Sequence, residues 1–545
     1  MRQSLLTAFV FAACGVASGQ SVQNIVLFGS GNGEVGSAGS ASIQNNTRKV
    51  LFVDVDGDSD RDLVAINHGV DSLIYINDGS GQFGGPVSLN SGLDLSCKGA
   101  AFADWDGDSD LDCVLAVGPT GGVQGANVFL RNDTVMADAP VFTAITAGDP
   151  DGHADHSYDV GFVMAGNQLQ LIVANRIVSG VSGSGLDRVY VSNGDGTFTV
   201  DGTSAITMVG PASSRDIAVG DLNGDGFDDL IIAHAGNGGS RNVIFRNNGV
   251  GGFVADGHDG FSYQQNHTYG LAMGDLDNDG RLDVVTANRF DSSTGETNGV
   301  FANQSRPGNI RLLHALSLPV ATSYDISVGD LDLDGDGDLV VANNNSANEV
   351  FMNNLSDNGL SVGSLSFDGV SFFSAVTHGE IQSSRGKTRS VALAEIADYS
   401  GNVNHTGMEV ALANANGSSN FFFRGYGAMY TDLGGATAGA RLDGNGFLSP
   451  VEDASLLLSG GASNGMYQLF ADLTINPQPF MGGVFHPATA VQIAMGSLDA
   501  RGMGTVLIPN GALPSVSEGV FIVFQYSLPG QGDISNGMSG MIQGN

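Results

Sequence analysis

A nine-residue acidic motif that returns five times along the chain is the strongest constraint on its fold. The motif reads D-x-[DN]-x-D-x-x-x-D and is followed each time by an apolar run. Its five copies begin at Asp54, Asp104, Asp221, Asp275 and Asp330. Internal repeats of this length are typical of architectures in which each repeat is one supersecondary unit. The chain is therefore predicted to be an array of similar units.

Two degenerate copies fill the gaps between the five complete ones. Residues 157–164 lead into 171–175 through a shortened loop without acids, and 390–395 lead into 409–414 through a lengthened loop. Counting both gives seven units, which start at 54, 104, about 164, 221, 275, 330 and 395. The spacing of these starts suits four short strands with tight turns.

Each unit also contains a later strand followed by a turn rich in Asn, Asp and Gly, as at residues 73–79, 188–194 and 242–248. Such turns join neighbouring antiparallel strands. Seven four-stranded sheets suit a radially closed propeller, which leaves few open sheet edges. Residues 24–28 look like one of these later strands and are expected to pair with the last blade. The sequence therefore predicts an all-β fold, a seven-bladed β-propeller.

The repeated loops resemble those of the FG-GAP/VCBS family of calcium-binding propeller repeats, which is related to the head of the integrin α-subunit. The resemblance rests on five nearly complete loops at regular spacing and covers roughly residues 24–430. It implies a propeller with calcium in its loops. Its integrin branch implies a cell-surface adhesion module as one candidate function.

The repeat stops after about residue 430, and the remainder alternates apolar runs with Gly and Pro. We expect a small C-terminal β-sandwich over 435–545. It is similar to a C-terminal module of exported bacterial proteins, through the order of its strands and the phrases at 479–483 and 507–509. That resemblance implies no known activity. The expected division is a signal peptide at 1–19, a propeller at 20–430 and this module.

The acidic loops have the composition of hard-cation sites. They hold 23 of the 57 acidic residues, and carboxylates crowded in this way repel one another unless a cation lies among them. All side-chain donors are oxygens, without His or Cys, which favours Ca²⁺ over Zn²⁺. Ca²⁺ is also favoured over Mg²⁺, because Mg²⁺ demands tighter octahedral geometry. Gly at the sixth position of three loops permits a left-handed bend, and Ser59 and Ser109 take that place in the first two.

We predict about five structural Ca²⁺ sites, with side chains at positions 1, 3, 5 and 9 converging on each ion. The competing interpretation is a set of solvated acidic turns, since Asp and Gly are ordinary turn residues. The predicted ligands are Asp54, Asp56, Asp58, Asp62, Asp104, Asp106, Asp108, Asp112, Asp221, Asn223, Asp225, Asp229, Asp275, Asp277, Asp279, Asp283, Asp330, Asp332, Asp334 and Asp338.

A second pattern places a basic or tyrosine residue six positions before every loop. In a propeller this position begins the innermost strand, so these side chains should ring the central channel opposite the metal loops. Cations and phenols suit anionic or sugar ligands. The alternative is that each side chain packs or bonds locally. The seven candidates are Arg48, Lys98, Tyr158, Arg215, Tyr269, Tyr324 and Arg389.

Charge and the N-terminus limit the function classes. A net charge of −36 argues against nucleic-acid binding and against docking on an anionic membrane. Residues 1–19 are typical of a secretory signal, which predicts a secreted or surface protein; a lipid anchor through Cys14 is the minority alternative. Cys97 and Cys113 would remain, too far apart in the expected hairpin for a disulfide.

No catalytic constellation stands out. The G-x-S-x-G match at 461–465 lacks an expected strand-to-helix turn, and His153, Asp155 and His156 form only a small polar cluster. The favoured hypothesis is therefore a calcium-stabilised binding protein for an extracellular polysaccharide or other polymer. The alternatives are a polysaccharide lyase or hydrolase on the same scaffold and an adhesion module that binds a surface protein.

Overall fold

The computed structural model describes residues 27–29, 46–415 with gaps, and the strands between 420 and 542. Side chains are described between 46 and 420, except at 320 and 373–376. The gaps before 420 are 78–82, 91–94, 120–124, 135–139, 146–155, 179–183, 209–211, 236–240, 257–260, 262–266, 290–296, 332–335, 354–372, 377–386, 395–407 and 416–419. The predicted signal peptide and Cys14 lie outside the described residues.

Six four-stranded antiparallel sheets, each made of consecutive strands, form blades. A further four-stranded sheet takes three strands from the end of the repeat region and its outer strand from Leu27–Gly29. The inner strands are Thr47–Val53, Cys97–Ala103, Ser157–Ala165, Ser214–Gly220, Thr268–Gly274, Ser323–Gly329 and Thr388–Ala394. The second strands are Asp62–Asn67, Asp112–Val117, Gln168–Asn175, Asp229–His234, Asp283–Asn288, Asp338–Asn343 and Glu409–Asn414.

The strands at the two outer positions of each sheet vary more in length, from two to nine residues. The third strands are Leu73–Tyr75, Val128–Asn132, Arg188–Ser192, Val243–Asn247, Thr297–Asn303, Glu349–Asn353 and Phe421–Gly425. The outer strands are Val87–Ser88, Phe142–Ile145, Phe198–Val200, Phe253–Asp256, Leu312–Val320, Phe373–Val376 and Leu27–Gly29. Among the residues that the structure describes, one short helix, Ala205–Met208, follows the third blade.

The second strands explain the apolar run after each acidic loop. Runs such as Leu-Val-Ala-Ile and Leu-Ile-Ile-Ala favour extended structure, and in six of these strands every residue is buried. Both faces of such a strand pack against neighbouring blades. Trp105, for example, is 2% exposed and packs its ring against Phe129, Phe162 and Phe198 between blades 2 and 3.

The inner strands form a closed ring. Each contacts the inner strands on either side, and Thr388–Ala394 contacts Thr47–Val53. Apolar residues of the last sheet, including Ala411 and Ala413, pack with Val50 and Leu63 of blade 1. A polar bond adds to this packing: the Asn420 side-chain amide donates to Thr47 Oγ1 at 2.8 Å.

The all-β propeller class is thus confirmed. The prediction of a seven-bladed propeller is corrected to six blades that consist of consecutive strands; the further four-stranded sheet is not of this kind, because its outer strand comes from the other end of the repeat region. The pairing of Leu27–Gly29 with that sheet follows the expectation for residues 24–28. Cys97 and Cys113 are both free and buried, as expected, and Cys113 is paired with Phe102.

The strands after Gly425 belong to a second compact unit. Its largest sheet has the order Tyr430–Gly434, Gly537–Ile542, Val520–Leu528, Met466–Asp472 and Val491–Ser497, with Asp533–Ile534 beside Val520–Leu528. A three-stranded sheet contains Arg441–Asn445, Ala454–Ser459 and Gly504–Ile508, and Ile475–Phe480 pairs with Gly483–Pro487. Within the described residues, no helix has the length and apolar character needed to cross a membrane.

Candidate functional site

Each acidic loop joins the inner and second strands of a blade, and the four loops that the structure describes in full curl around their first carboxylate. Asp54 accepts hydrogen bonds from the backbone N–H groups of Gly57 at 2.8 Å and Ser59 at 2.9 Å. Asp104 and Asp221 accept bonds from the same two loop positions. The curl turns the following side chains towards one point.

Three loops bring the carboxylates of positions 1, 3 and 5 together, with one oxygen of each within 4.8 Å of the others. These groups are Asp54, Asp56 and Asp58; Asp104, Asp106 and Asp108; and Asp275, Asp277 and Asp279. Burial, and next the charge of position 5, raises the pKa of Asp56 and of Asp106. The free protein therefore concentrates negative charge that a cation would neutralise.

The third loop position also offers buried oxygen atoms without a partner. Asp106 Oδ1 and Asn223 Oδ1 are buried, and neither has a hydrogen bond. Such atoms are rare in folded proteins and cost free energy unless an unseen group binds them. An all-oxygen donor set with this property fits a hard divalent cation such as Ca²⁺. Asp332 and Asp334 lie outside the described residues.

The ninth residue of each loop has a structural role that the sequence did not reveal. Asp62 accepts backbone N–H bonds from Val55 on one oxygen and from Asn77 on the other, both at 2.8 Å. The same pair of bonds forms at Asp112, Asp229, Asp283 and Asp338. These carboxylates are 0–1% exposed and are not part of the three-carboxylate groups. Their service as metal ligands stays a prediction.

A repeated Asn at the third strand extends this connection between blades. The Asn303 side-chain amide donates to the backbone carbonyls of Leu282 in its own loop and Leu222 in the preceding blade. Asn132, Asn247 and Asn353 make the same two kinds of bond. The loop face of the propeller is therefore held by buried polar bonds as well as by apolar packing.

On the opposite face, the predicted ring residue is the bulged residue of its inner strand in all seven sheets. The register shifts between the residues that flank it, from Thr47/Lys49 in the first sheet to Thr388/Ser390 in the last. A β-bulge re-aims a side chain away from the regular alternation of a strand. The seven bulges therefore aim seven side chains into the channel.

All seven predicted ring residues line one cavity of about 310 Å³ at the channel. Its lining holds seven basic and three acidic side chains, in a protein whose net charge is −36. The basic side chains are Arg48, Lys49, Lys98, Arg176, Arg215, Arg289 and Arg389, and the acidic ones are Asp159, Asp216 and Asp325. The channel mouth is a positive site on an acidic molecule.

Opposite charges from three blades meet within the lining of the cavity. Lys49 Nζ of the first blade lies 2.6 Å from Asp159 of the third and 3.8 Å from Asp216 of the fourth. The pKa of Lys49 is raised, because the charges of Asp159 and Asp216 outweigh the effect of burial. Leu271 N–H donates to Asp216 and Val391 N–H to Asp325, so these acids also connect adjacent inner strands.

The arginines and tyrosines of the mouth stack on one another. The Arg215 guanidinium carbon lies 4.1 Å from the Tyr158 ring centroid and 4.7 Å from that of Tyr269. The guanidinium of Arg389 lies 3.8 Å from the Tyr324 ring. Cation–π contacts of this kind hold guanidinium groups in fixed orientations.

Sequence reasoning missed two arginines of the mouth. Arg176 and Arg289 both directly follow a second strand that ends in Ala-Asn, and both line the cavity. The other units carry His68, Gly118, Ala235, Asn344 and Ala415 at that place, so no shared residue type marked it. His156 stacks on Tyr158 at 5.1 Å, while His153 and Asp155 lie outside the described residues.

The Ser or Thr that precedes most ring residues has a local role. Thr47 Oγ1 donates to Asn67 Oδ1 at 2.7 Å, and the same bond joins Thr268 to Asn288 and Thr388 to Asn414. In the second blade Cys97 is opposite Val117, so both partners have become apolar. These pairs anchor the start of each inner strand beside its bulge.

Comparison with known proteins identifies the repeat. A family model described as an FG-GAP-like repeat matches residues 54–115, 169–232 and 221–286. The chain carries FG-GAP-like repeats. The second FG-GAP match includes the second strand of the degenerate third unit, whose loop has lost its acids. Comparison with curated protein sequences gives no match.

Comparison with solved structures gives matches at low sequence identity. BBS1N in its complex with ARL6DN matches at 12% identity in a mercury soak, over 70% of this chain and 93% of that one, with a TM-score of 0.40. The lead soak of that complex matches at 11% identity, over 71% of this chain and 94% of that one, with a TM-score of 0.42. Sqt1 of Saccharomyces cerevisiae matches at 11% identity, over 74% of this chain and 99% of that one, with a TM-score of 0.39.

Proposed function

We propose that this chain is an exported, calcium-stabilised FG-GAP propeller that binds an extracellular polysaccharide or other polymer at its channel mouth. The observation that carries the proposal is the convergence of all seven predicted ring residues on one positively charged cavity. Cationic side chains in a concave site bind anionic groups through charge-assisted hydrogen bonds. We count the last sheet as a seventh blade and the strands after Gly425 as a β-sandwich.

Calcium enters the proposal as a structural cofactor. The loops with converging carboxylates lie between the inner and second strands, and the ring residues lie at the opposite end of the inner strands. An ion in each loop would fix its hairpin without touching the ligand. We propose that Ca²⁺ sets the stability of the propeller and that the ring sets its binding.

The test is retention on a panel of insoluble and soluble polysaccharides, with the mature chain in calcium or in chelator and with released products measured. Retention without products supports the binding function. Released products would place the polysaccharide-degrading alternative first, and neither retention nor products would favour adhesion to a surface protein. The variant with Arg215, Tyr269 and Tyr324 changed to Ala should lose retention. Arg131→Ala, at an exposed arginine paired with Asp133, is the control.

A further inference from the structure

We infer that the channel mouth recognises a single oxyanionic group, a carboxylate, sulfate ester or phosphate ester, carried on a chain end or side branch of its ligand. In this arrangement the arginines bind the anion, and the tyrosines position the arginines. The inference rests on the proposed function, because it names the chemical group that the same cavity binds.

The tyrosine rings are already occupied by protein neighbours. Tyr158 is contacted by Arg215 and by the His156 ring, and Tyr324 by Arg389 and by the Tyr269 ring at 4.9 Å. Arg289 lies 5.5 Å from the Tyr269 centroid and donates to its hydroxyl at 2.9 Å. A neutral sugar that stacks on aromatic faces would have to displace these guanidinium groups. The rings are therefore supports for the cations.

The arginines, in contrast, retain unused hydrogen-bonding capacity. The Nε atoms of Arg48, Arg215 and Arg389 are buried and have no hydrogen-bond partner, and Arg215 is 9% exposed. Within the described part of the chain, the ion pairs of the channel join Lys49 to acids and include none of these three arginines. Buried donors and uncompensated positive charge together call for an anion with several acceptor oxygens.

The Lys49 ion pairs limit how far an anion can enter the channel. Lys49 crosses the channel from the first blade to the third, and three carboxylates surround it. A polyanionic chain that threaded the channel would displace this ion-pair layer and meet the three carboxylates. A volume of about 310 Å³ is at the small end of ligand pockets. The site therefore suits a terminal or pendant group that enters the mouth and stops above Lys49.

The experiment measures binding of glucuronate, glucose 6-sulfate, glucose 6-phosphate and glucose to the mature chain in calcium by titration calorimetry. We expect at least one anionic sugar to bind and glucose not to bind at the same concentration. The anionic sugar that binds identifies the carboxylate or ester source. Arg215→Gln and Arg289→Gln should each weaken binding about tenfold or more, as loss of a charge-assisted bond does. Arg131→Gln, the matched control, should leave it unchanged.

Tyr324 tests the positioning role. Tyr324→Phe keeps the ring under Arg389 and should retain binding, whereas Tyr324→Leu should weaken it about tenfold at an unchanged melting temperature. Equal binding of glucose, or undiminished binding by both arginine variants, would overturn the inference. Polymer retention without binding of any anionic sugar would overturn it while the proposed function stands. Failure of the wild type to retain any polymer would instead overturn the proposed function.

Discussion

Two serines of the acidic loops adopt backbone angles that favour glycine. Ser59 has φ of 77° and Ser109 of 80°, and the equivalent Gly226 and Gly280 have 86° and 83°. A residue with a Cβ atom pays about 1–2 kcal/mol for this left-handed conformation. The N–H of the same residue donates to the first carboxylate of the loop, so the conformation is built into the curl.

Ser59→Gly should therefore raise the free energy of unfolding by about 0.5 kcal/mol, because relief of strain exceeds the added entropy of the unfolded chain. Denaturant melts in calcium measure the change. Gly226→Ser is the reverse control, since a Cβ there meets no atom within 4 Å and only its φ is unfavourable. It should destabilise by about 1 kcal/mol. A stabilised Gly226→Ser variant would contradict the strain argument.

Gly270 is required for a different reason, the close approach of two inner strands. A Cβ at this position would lie 2.7 Å from Asp325 Cα and 2.9 Å from the Tyr324 carbonyl oxygen. Backbone atoms cannot rotate away as a side chain can. Gly270→Ala should cost about 1–3 kcal/mol, measured by chemical unfolding. Gly85→Ala, where a Cβ meets nothing within 4 Å, should cost far less; equal losses would argue against the clash.

Lys98 gives the mouth a pH dependence. Burial, followed by the charges of Arg48 and Arg389, lowers the pKa of Lys98 to about 8. The lysine therefore loses its charge as the pH rises through 8, and affinity for an anionic sugar should fall about tenfold between pH 7 and pH 10. The neighbouring His68, with a pKa lowered to about 4 by burial and by Lys98, is already neutral over this range.

Lys98→Met separates this effect from the titration of Tyr158, whose pKa is lowered because Arg215 and Arg176 outweigh its burial. The variant should bind weakly at pH 7 and change little up to pH 10. Titration calorimetry at several pH values gives both profiles. An unchanged slope in the variant would assign the pH dependence to another group.

At the scale of the element, the inner hairpin carries both sites at its two ends. Its loop presents converging carboxylates, and its bulge presents a ring residue. The spacing of the acids predicted the convergence of positions 1, 3 and 5 in three loops but also included position 9, which these groups leave out. The constant distance from loop to ring residue predicted which residues line the mouth. Both patterns could be recognised in the sequence because each is local and recurs at the same spacing from unit to unit.

The features that the sequence alone did not predict depend on contacts between units. Lys49 meets Asp159 across 110 positions of the chain, and only closure of the ring makes them neighbours. Asp62 accepts two backbone hydrogen bonds because it is buried at the start of a strand. The sequence does not predict this burial, since acidic residues are usually exposed. Arg176 and Arg289 were missed because their position varies among units.

Removal of calcium should lower the melting temperature by many degrees. A ligand that binds only the folded state stabilises it by about 2.7 kcal/mol at a concentration of 100 Kd, and several loops add their effects. Melts of the mature chain in Ca²⁺, in Mg²⁺ and in chelator measure this. Mg²⁺ should restore less than Ca²⁺ because it demands octahedral geometry. Identical melts in all three conditions would contradict structural calcium.

A closed ring gives the interface between the last sheet and the first blade the same kind of contacts as an interface inside the ring. Thr47 joins the last sheet to the first blade: it donates to Asn67 and accepts from Asn420 at 2.8 Å. Thr268 has the same two bonds inside the ring, donating to Asn288 and accepting from Asn242 at 3.0 Å. Both threonines are fully buried.

Closure therefore predicts that Thr47→Val costs as much as Thr268→Val. Valine keeps the shape of threonine but removes the hydroxyl, which leaves the side-chain amides of two asparagines each short of a partner, at about 1–3 kcal/mol. Chemical unfolding of the two variants in calcium compares the costs directly. If the ring were open between the last sheet and the first blade, water would reach Asn67 and Asn420, and Thr47→Val would be nearly neutral. A loss of unfolding free energy in Thr268→Val without one in Thr47→Val would thus exclude a closed ring. Equal losses would mean that the last sheet is joined to the first blade as stably as two neighbouring blades are joined inside the ring.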